Sequence, residues 1–358
     1  MTEQDRLRRI ADLVDEHLKP YVKRIDGEAF YPEAYLRALG GEGHLPGPEA
    51  DEAETLRAGV TAIRETSRAC LTTGFNLWCH MAALTYVRYG ESPALRERLL
   101  PRLADGSLLG GTGLSNPMKF YAGLDKIYLR AEKDGGGYRV TGTLPMVSNL
   151  GDDHWFGIVA DAGSNRIMAF VPCASAGLTR TEQLGFLGLN GSATYACRFD
   201  DVHLPAEYVL SEQADELVRK IRPSFILYQI PLGLGLIASS ADGVRGMSGK
   251  QGGCNSYLRV QADDLESDFS ALNERLCRLM EAERLDQEDL WRDLVRLRLD
   301  VVYAALRAAQ CGMLHTGSSG YKMGSDASRR LREAYFLANL TPTVRHLEKM
   351  NAEFSLQV

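Results

Sequence analysis

The sequence predicts an α+β chain in which a β-barrel or β-sandwich sits between two helical parts. Two changes in the period of the hydrophobic pattern carry this prediction, one near residue 109 and one near residue 211. Composition sets the frame: 358 residues, 45% hydrophobic and 25% charged, describe an ordinary globular chain long enough for two or three domains. The expected division is residues 1–108, 109–210 and 211–358.

The first 108 residues read as helices. Leu7, Ile10, Leu13, Val14 and Leu18 give an amphipathic start, so no signal peptide is expected. Pro32 opens a helix that Gly40-Gly41 closes, and Leu56, Val60 and Ile63 mark a second. Ser92-Pro93 begins a third in "SPALRERLLPRLADG". From about 109 to 205 the runs become short, alternating and β-branched ("GYRVTG", "WFGIVADA", "NRIMAFVPC", "ATYACRFDDVHLP"), with Gly and Asp turns between them. This stretch is expected to be all-β. Long helical segments return after 211, notably "FILYQIPLGLGLIASSADGV" and "LWRDLVRLRLDVVYAALRAAQCGML". In the latter, Leu294, Leu297, Leu299, Val302 and Leu306 occupy more than one helix face, more than a single bundle core is expected to cover. Self-association through these helices follows as an expectation. Near the end, Thr341 reads as an N-cap and Pro342 as a first helical residue, with Val344, Leu347 and Met350 recurring at helical spacing.

Several function classes are disfavoured by what the chain carries. A net charge of −6 without a basic run argues against a nucleic-acid partner. No segment approaches about 18 uninterrupted apolar residues, so no membrane span is expected. Seven scattered cysteines, none in a CxxC pair, fit reduced thiols and a cytoplasmic location. His80 follows Cys79, but the seven histidines never cluster at ligand spacing, and no metal site is predicted. "GGTG" at 110–113 and "SGKQGG" at 248–253 lack the spacing of phosphate loops. Asp152-Asp153 and Asp200-Asp201 fall where turns are expected, and read as solvated turn residues.

Four motifs, in order, bring a family into view. "LLPRLADGSLLGGTGLSNP" resembles the acyl-CoA dehydrogenase family, in which Leu-Pro-x-Leu-x-x-Gly leads to a Thr-Glu-Pro or Ser-Glu-Pro segment; Ser115-Asn116-Pro117 stands in that place. "GYRVTGTLPMVSNL" is similar to the family's Trp-Ile-Thr-Asn segment, with Met146, Val147, Ser148 and Asn149 at the matching positions. "GLNGSATYACRFDDVHLP" resembles the run that ends the middle domain, and "TGSSGYKMGSDASRRLREA" the Gly-Gly-x-Gly-Tyr segment and the Arg-Asp-Ala after it. The resemblance implies a helical domain, a β domain and a C-terminal four-helix bundle, assembled as a homodimer or homotetramer. It implies FAD, with Ser115, Met146, Val147, Ser148, Gly317 and Thr343 on the cofactor side. It also implies an acyl thioester substrate of coenzyme A or a carrier protein, and an electron-transfer or flavin-reductase partner.

The departures are as specific as the matches. An ungapped count from Arg332-Glu333-Ala334 sets Thr341-Pro342-Thr343 on the family's Glu-Gly-Thr, whose Glu removes the α-proton of the thioester. A threonine hydroxyl is too weak a base for that step. Some members carry the carboxylate on the first bundle helix, where Asp242 is the acid in "PLGLGLIASSADGVRGMSG". The Arg-x-x-Phe-Gly motif that reaches a neighbouring subunit's FAD is missing, leaving Arg245 or Lys250 to supply its charge. Three functions stay open at this point. They are an acyl thioester oxidoreductase with a relocated base, a flavin-dependent monooxygenase or oxidase, and a non-catalytic homologue.

Overall fold

The computed structural model describes residues 3–282 and 287–356. The N-terminal part contains α1 (Glu3–Leu13), α2 (Val22–Gly27), α3 (Glu33–Gly41), α4 (Glu52–Ala69), α5 (Leu71–Tyr89) and α6 (Pro93–Ala104). The starts follow local chemistry: Asp51 caps α4 by accepting from the Glu54 N–H at 2.7 Å, and Ser92 caps α6 by accepting from the Leu95 N–H at 3.3 Å. α5 is buried along nearly its whole length, from Leu71 to Val87, because it stands between the other helices and the sheet. His80 on α5 stitches that contact. Its Nδ1 accepts from the Gly110 N–H at 3.1 Å and its Nε2–H donates to the Leu103 carbonyl at 2.9 Å.

The middle part contains β1 (Gly110–Thr112), α7 (Ser115–Tyr121), β2 (Leu129–Asp134), β3 (Gly137–Val147), β4 (Trp155–Asp161), β5 (Arg166–Pro172), β6 (Leu178–Glu182), β7 (Tyr195–Pro205) and β8 (Val209–Ser211). α7 corrects the all-β expectation: the Ser115-Asn116-Pro117 segment turns into a short helix that buries Asn116, Pro117 and Met118. The 8-stranded mixed sheet runs β6-β7-β3-β2-β4-β5-β8, with β1 added in parallel to β4. β7 lies three strands from β4, about 14 Å away in a flat sheet. Yet Phe156 on β4 and Phe199 on β7 have ring centroids 6.2 Å apart, so the sheet curls onto itself around one apolar core, as the barrel or sandwich expectation requires.

The C-terminal part contains α8 (Ala214–Leu227), α9 (Ile230–Arg245), α10 (Ala262–Met280), α11 (Glu288–Thr316), α12 (Asp326–Asn339) and α13 (Val344–Leu356). α9, α10, α11 and α12 pack against one another, and α4 packs on the outside of α9. Over 214–245 the chain is apolar enough to cross a membrane by composition, but the relevant window is 94% buried inside the fold. The 29-residue α11 corrects a second expectation. Leu294, Leu297 and Val302 are buried in the main core and Leu299 packs with Leu347 of α13, so these faces are covered within the chain and provide no argument for self-association. A third correction concerns the last turn. Thr343, not Thr341, caps α13: its hydroxyl accepts from the His346 N–H at 3.4 Å and its carbonyl from the Leu347 N–H at 2.9 Å. Pro342 therefore precedes the helix, and the Thr341–Pro342 peptide bond is cis.

Candidate functional site

Where the curled sheet meets the C-terminal helices there is a cavity of about 400 Å³. One wall is aromatic. Phe75 stacks on Trp78 at 5.5 Å, meets Phe336 edge-on at 4.8 Å, and Trp78 meets Phe225 edge-on at 4.8 Å. The Trp78 indole N–H donates to the Phe225 carbonyl at 3.1 Å, which leaves the rings as an apolar surface with their polar edge satisfied.

The facing wall is built of hydroxyls, and strand periodicity explains which ones. Val147 is fully buried in the sheet core, so its neighbours Met146 and Ser148 turn to the opposite face and line the cavity. Asn149 then leaves the strand at φ 64°, held by its own Nδ2–H on the Gly110 carbonyl (2.8 Å) and by the Tyr31 hydroxyl on its Oδ1 (2.7 Å). Ser148, Thr194 and Ser192 form a chain of two hydrogen bonds, each 2.8 Å. Three hydroxyls and two bonds leave one proton to donate to a ligand. Ser115 at the start of α7 and Thr341 share one bond of 3.1 Å, which leaves a second such proton.

Thr341 is braced from behind by a network that begins in the bundle core. Gln229 donates from Nε2 to the Thr341 carbonyl at 2.9 Å, and its Oε1 accepts from Arg298 Nε at 2.9 Å. Arg298 is fully buried, also donates to the Leu337 carbonyl at 3.1 Å, and has no carboxylate partner among the described residues. Burial alone pulls its guanidinium down to about 9, which still leaves it cationic at neutral pH. Arg332 lines the cavity and is held by a two-pronged pair with Asp26 of α2 at 2.7 and 2.6 Å, both side chains being nearly inaccessible. Lys119 is the other cation of the lining. Among the described residues no Asp or Glu lines it.

The residues expected from sequence divide cleanly. Ser115, Met146, Ser148 and Thr341 converge on this one cavity. Val147 supports the strand from the core side, and Thr343 is occupied as the cap of α13. Gly317, at φ 62°, ends α11 and lies outside the lining. Asp242 is a correction: half-exposed, it pairs with Arg68 of α4 at 2.7 and 3.1 Å on the outer side of α9, and it does not line the cavity. Arg245 is likewise committed, to Glu266 and Asp263. Two features escaped the sequence reading. Gln229 was detectable as the polar residue inside the apolar run 225–237, whereas Arg298 looks no different in sequence from the exposed Arg296 two positions earlier.

A second cavity, of about 510 Å³, backs onto the first. The two share a wall: Ser115 and Lys119 of α7, Phe225 and Thr341 face one, while Phe120, Tyr121, Ile226 and Pro342 face the other. This second space carries the cations Arg166, Arg219, Arg222 and Lys349 against the carboxylates of Asp215 and Glu353, which leaves it with a net positive charge. The Arg166 guanidinium, bonded to Asp215 at 2.6 Å, holds that carboxyl below its ordinary range. Burial and the same Asp215 push the Tyr121 phenol up, and Arg222 lies 4.5 Å from the centre of the Trp291 ring.

Residues 2–107 match the model of the acyl-CoA dehydrogenase N-terminal domain. The chain is 30% identical over 214 residues to a mitochondrial isovaleryl-CoA dehydrogenase of Oryza sativa subsp. japonica, an overlap of 55% of this chain and 51% of that one, so it spans about half the length of that relative. It is 25% identical over 355 residues to the mitochondrial isovaleryl-CoA dehydrogenase of Arabidopsis thaliana, covering 91% of this chain and 84% of the relative. Among solved structures, butyryl-CoA dehydrogenase from Megasphaera elsdenii superposes with a TM-score of 0.85 over 99% of both chains, at 17% identity. That last likeness establishes the three-part fold.

Proposed function

We propose that the chain is a member of the acyl-CoA dehydrogenase family and an FAD-dependent oxidoreductase acting on an acyl thioester, with a hydroxyl at residue 341 where a carboxylate base would stand. The observation that carries this reading is the convergence of Met146, Ser148, Ser115 and Thr341 on one cavity from three separate parts of the chain. The lining fits a flavin ring, which has an apolar edge and a polar edge: aromatic side chains form one wall and donor hydroxyls the other. When bound, FAD supplies two-electron redox chemistry.

This chain's residues do the rest. Ser148, backed by Thr194 and Ser192, would donate its hydroxyl to a polar group of the flavin, and the Phe75–Trp78–Phe336 surface would exclude water beside it. Of the two hydroxyl protons of Ser115 and Thr341, one is spent in their mutual bond and the other would be free to donate to a carbonyl oxygen. The basic second cavity, one residue away through Pro342, suits the phosphates of a coenzyme A or phosphopantetheine arm. A partner protein would exchange electrons with the flavin. The absence of a disulfide among the seven cysteines supports a reducing compartment, the cytoplasm.

A second reading has its own observation. No carboxylate among the described residues lines the cavity, and a flavin monooxygenase or oxidase on this scaffold needs none there. Mixing the purified, FAD-loaded protein anaerobically with a panel of acyl thioesters separates the two. Loss of the visible flavin band with thioester supports the first reading, and loss only with reduced nicotinamide or a flavin reductase, followed by oxygen uptake, supports the second. A protein that takes up no FAD at high cofactor concentration overturns both.

A further inference from the structure

Away from both cavities, the turn between β3 and β4 brings a histidine against two carboxylates. His154 is completely buried, and its Nδ1 lies 3.0 Å from the Asn149 carbonyl oxygen. A carbonyl can only accept, so the proton sits on Nδ1 and Nε2 presents a lone pair. Nε2 has no hydrogen-bond partner. It faces Oδ1 of Asp153 at 3.7 Å, beyond hydrogen-bond reach, so two electron-rich atoms confront each other in a protein interior.

Glu33, in the first turn of α3, completes the group: one donor atom from each of Glu33, Asp153 and His154 lies within 4.8 Å of the others. Arg37 holds the two carboxylates in position without using up their capacity. Its Nε–H donates to Oε1 of Glu33 and its NH2 to Oδ2 of Asp153, each at 2.8 Å, so Oδ1 of Asp153 remains for a ligand. Two carboxylates against one guanidinium and a neutral imidazole leave the cluster with a net negative charge. Gly151 packs beside the ring, and a Cβ at that position would stand 2.7 Å from Nε2.

We propose that Glu33, Asp153 and His154 form a binding site for a divalent cation of the Zn²⁺ class, which ties α3 of the N-terminal part to the β3–β4 turn. One imidazole with two carboxylates is a mixed N/O donor set suited to zinc, and tetrahedral zinc ligands stand roughly 3.3 Å apart, close to the 3.7 Å separation of the His154 and Asp153 donors. The Nδ1–H bond to the Asn149 carbonyl is the outer contact that fixes a metal-binding imidazole in its tautomer. The sequence hides the site, because Glu33 lies far from Asp153-His154 along the chain.

The test is a Zn²⁺ titration against a chromophoric chelator, with thermal melts in parallel. The full chain is used in a Cys254→Ser background, since Cys254 is an exposed thiol that would also take zinc. One equivalent is expected to bind and to raise the melting temperature. Asp153→Asn and Glu33→Gln, both isosteric changes on exposed side chains, are each expected to weaken binding at least tenfold, and His154→Gln to abolish the thermal shift. No saturable single site, or an affinity unchanged in Asp153→Asn, overturns the proposal and leaves a water between Nε2 and Oδ1.

Discussion

Under the proposed function, Thr341 is the side chain whose replacement separates the two chemistries. If its hydroxyl has replaced a base, the wild type should show little α,β-dehydrogenation of saturated acyl thioesters, and Thr341→Glu combined with Pro342→Gly should raise the anaerobic rate of flavin bleaching by about 10²- to 10⁴-fold. Strong wild-type activity that survives Thr341→Ala would sink that account. Titration makes a second residue informative. His80 is buried and its imidazole is pushed down to about 4 from the ordinary 6.5, by burial above all. The folded state therefore refuses a proton that the unfolded chain accepts. His80 contributes fully above pH 6.5, and its contribution falls away as the pH drops from 6.5 to 4, by roughly 3 kcal/mol. His154 and His346 shift in the same direction. Denaturant midpoints measured across that range should decline in wild type and decline less in His80→Gln; identical slopes would show that His80 titrates freely.

Among the elements, α12 is tied to the N-terminal part by one deep ion pair, Arg332 with Asp26. Removing one partner of a buried pair leaves an uncompensated charge, so Asp26→Ala should cost about 3–5 kcal/mol. Asp26→Ala with Arg332→Met should cost less than Asp26→Ala alone, and an equal or larger loss in the double variant would mean that packing rather than charge holds α12. Element type was largely legible from sequence because it depends on local signals: the Ser92 cap, the Pro32 start and the alternation along the first half of β3 all produced the elements they predicted. The convergence of Ser115, Met146, Ser148 and Thr341 was legible only through resemblance, since no local pattern links residues so far apart. What stayed hidden depends on partners. Asp242 sits on the helix that sequence assigns to it, but whether it faces a cavity or Arg68 depends on what packs against α9. α7 was missed because its seven residues are too few to show a helical repeat.

For the whole molecule, the exposed apolar residues point to assembly. With Leu294, Leu297, Leu299 and Val302 covered inside the chain, the candidates shift to Tyr257, Leu314, Tyr321 and Met323, exposed by 59% to 89% around the end of α11, where the Asn255 amide donates to the His315 carbonyl. A second copy of the chain is the expected occupant. Light scattering should give a multiple of 39.5 kDa, and Tyr321→Lys with Met323→Glu should reduce it to the monomer; a monomeric wild type would refute assembly through this patch. The bracing of Thr341 has a consequence of another kind. Gln229 holds the turn by its main-chain carbonyl, and the side chain contributes only one hydroxyl contact, to Ser115. Position 341 is thus an interchangeable fitting on a fixed mount. A saturation library at position 341 would vary the side chain presented to the cavity while the carbonyl stays anchored by Gln229.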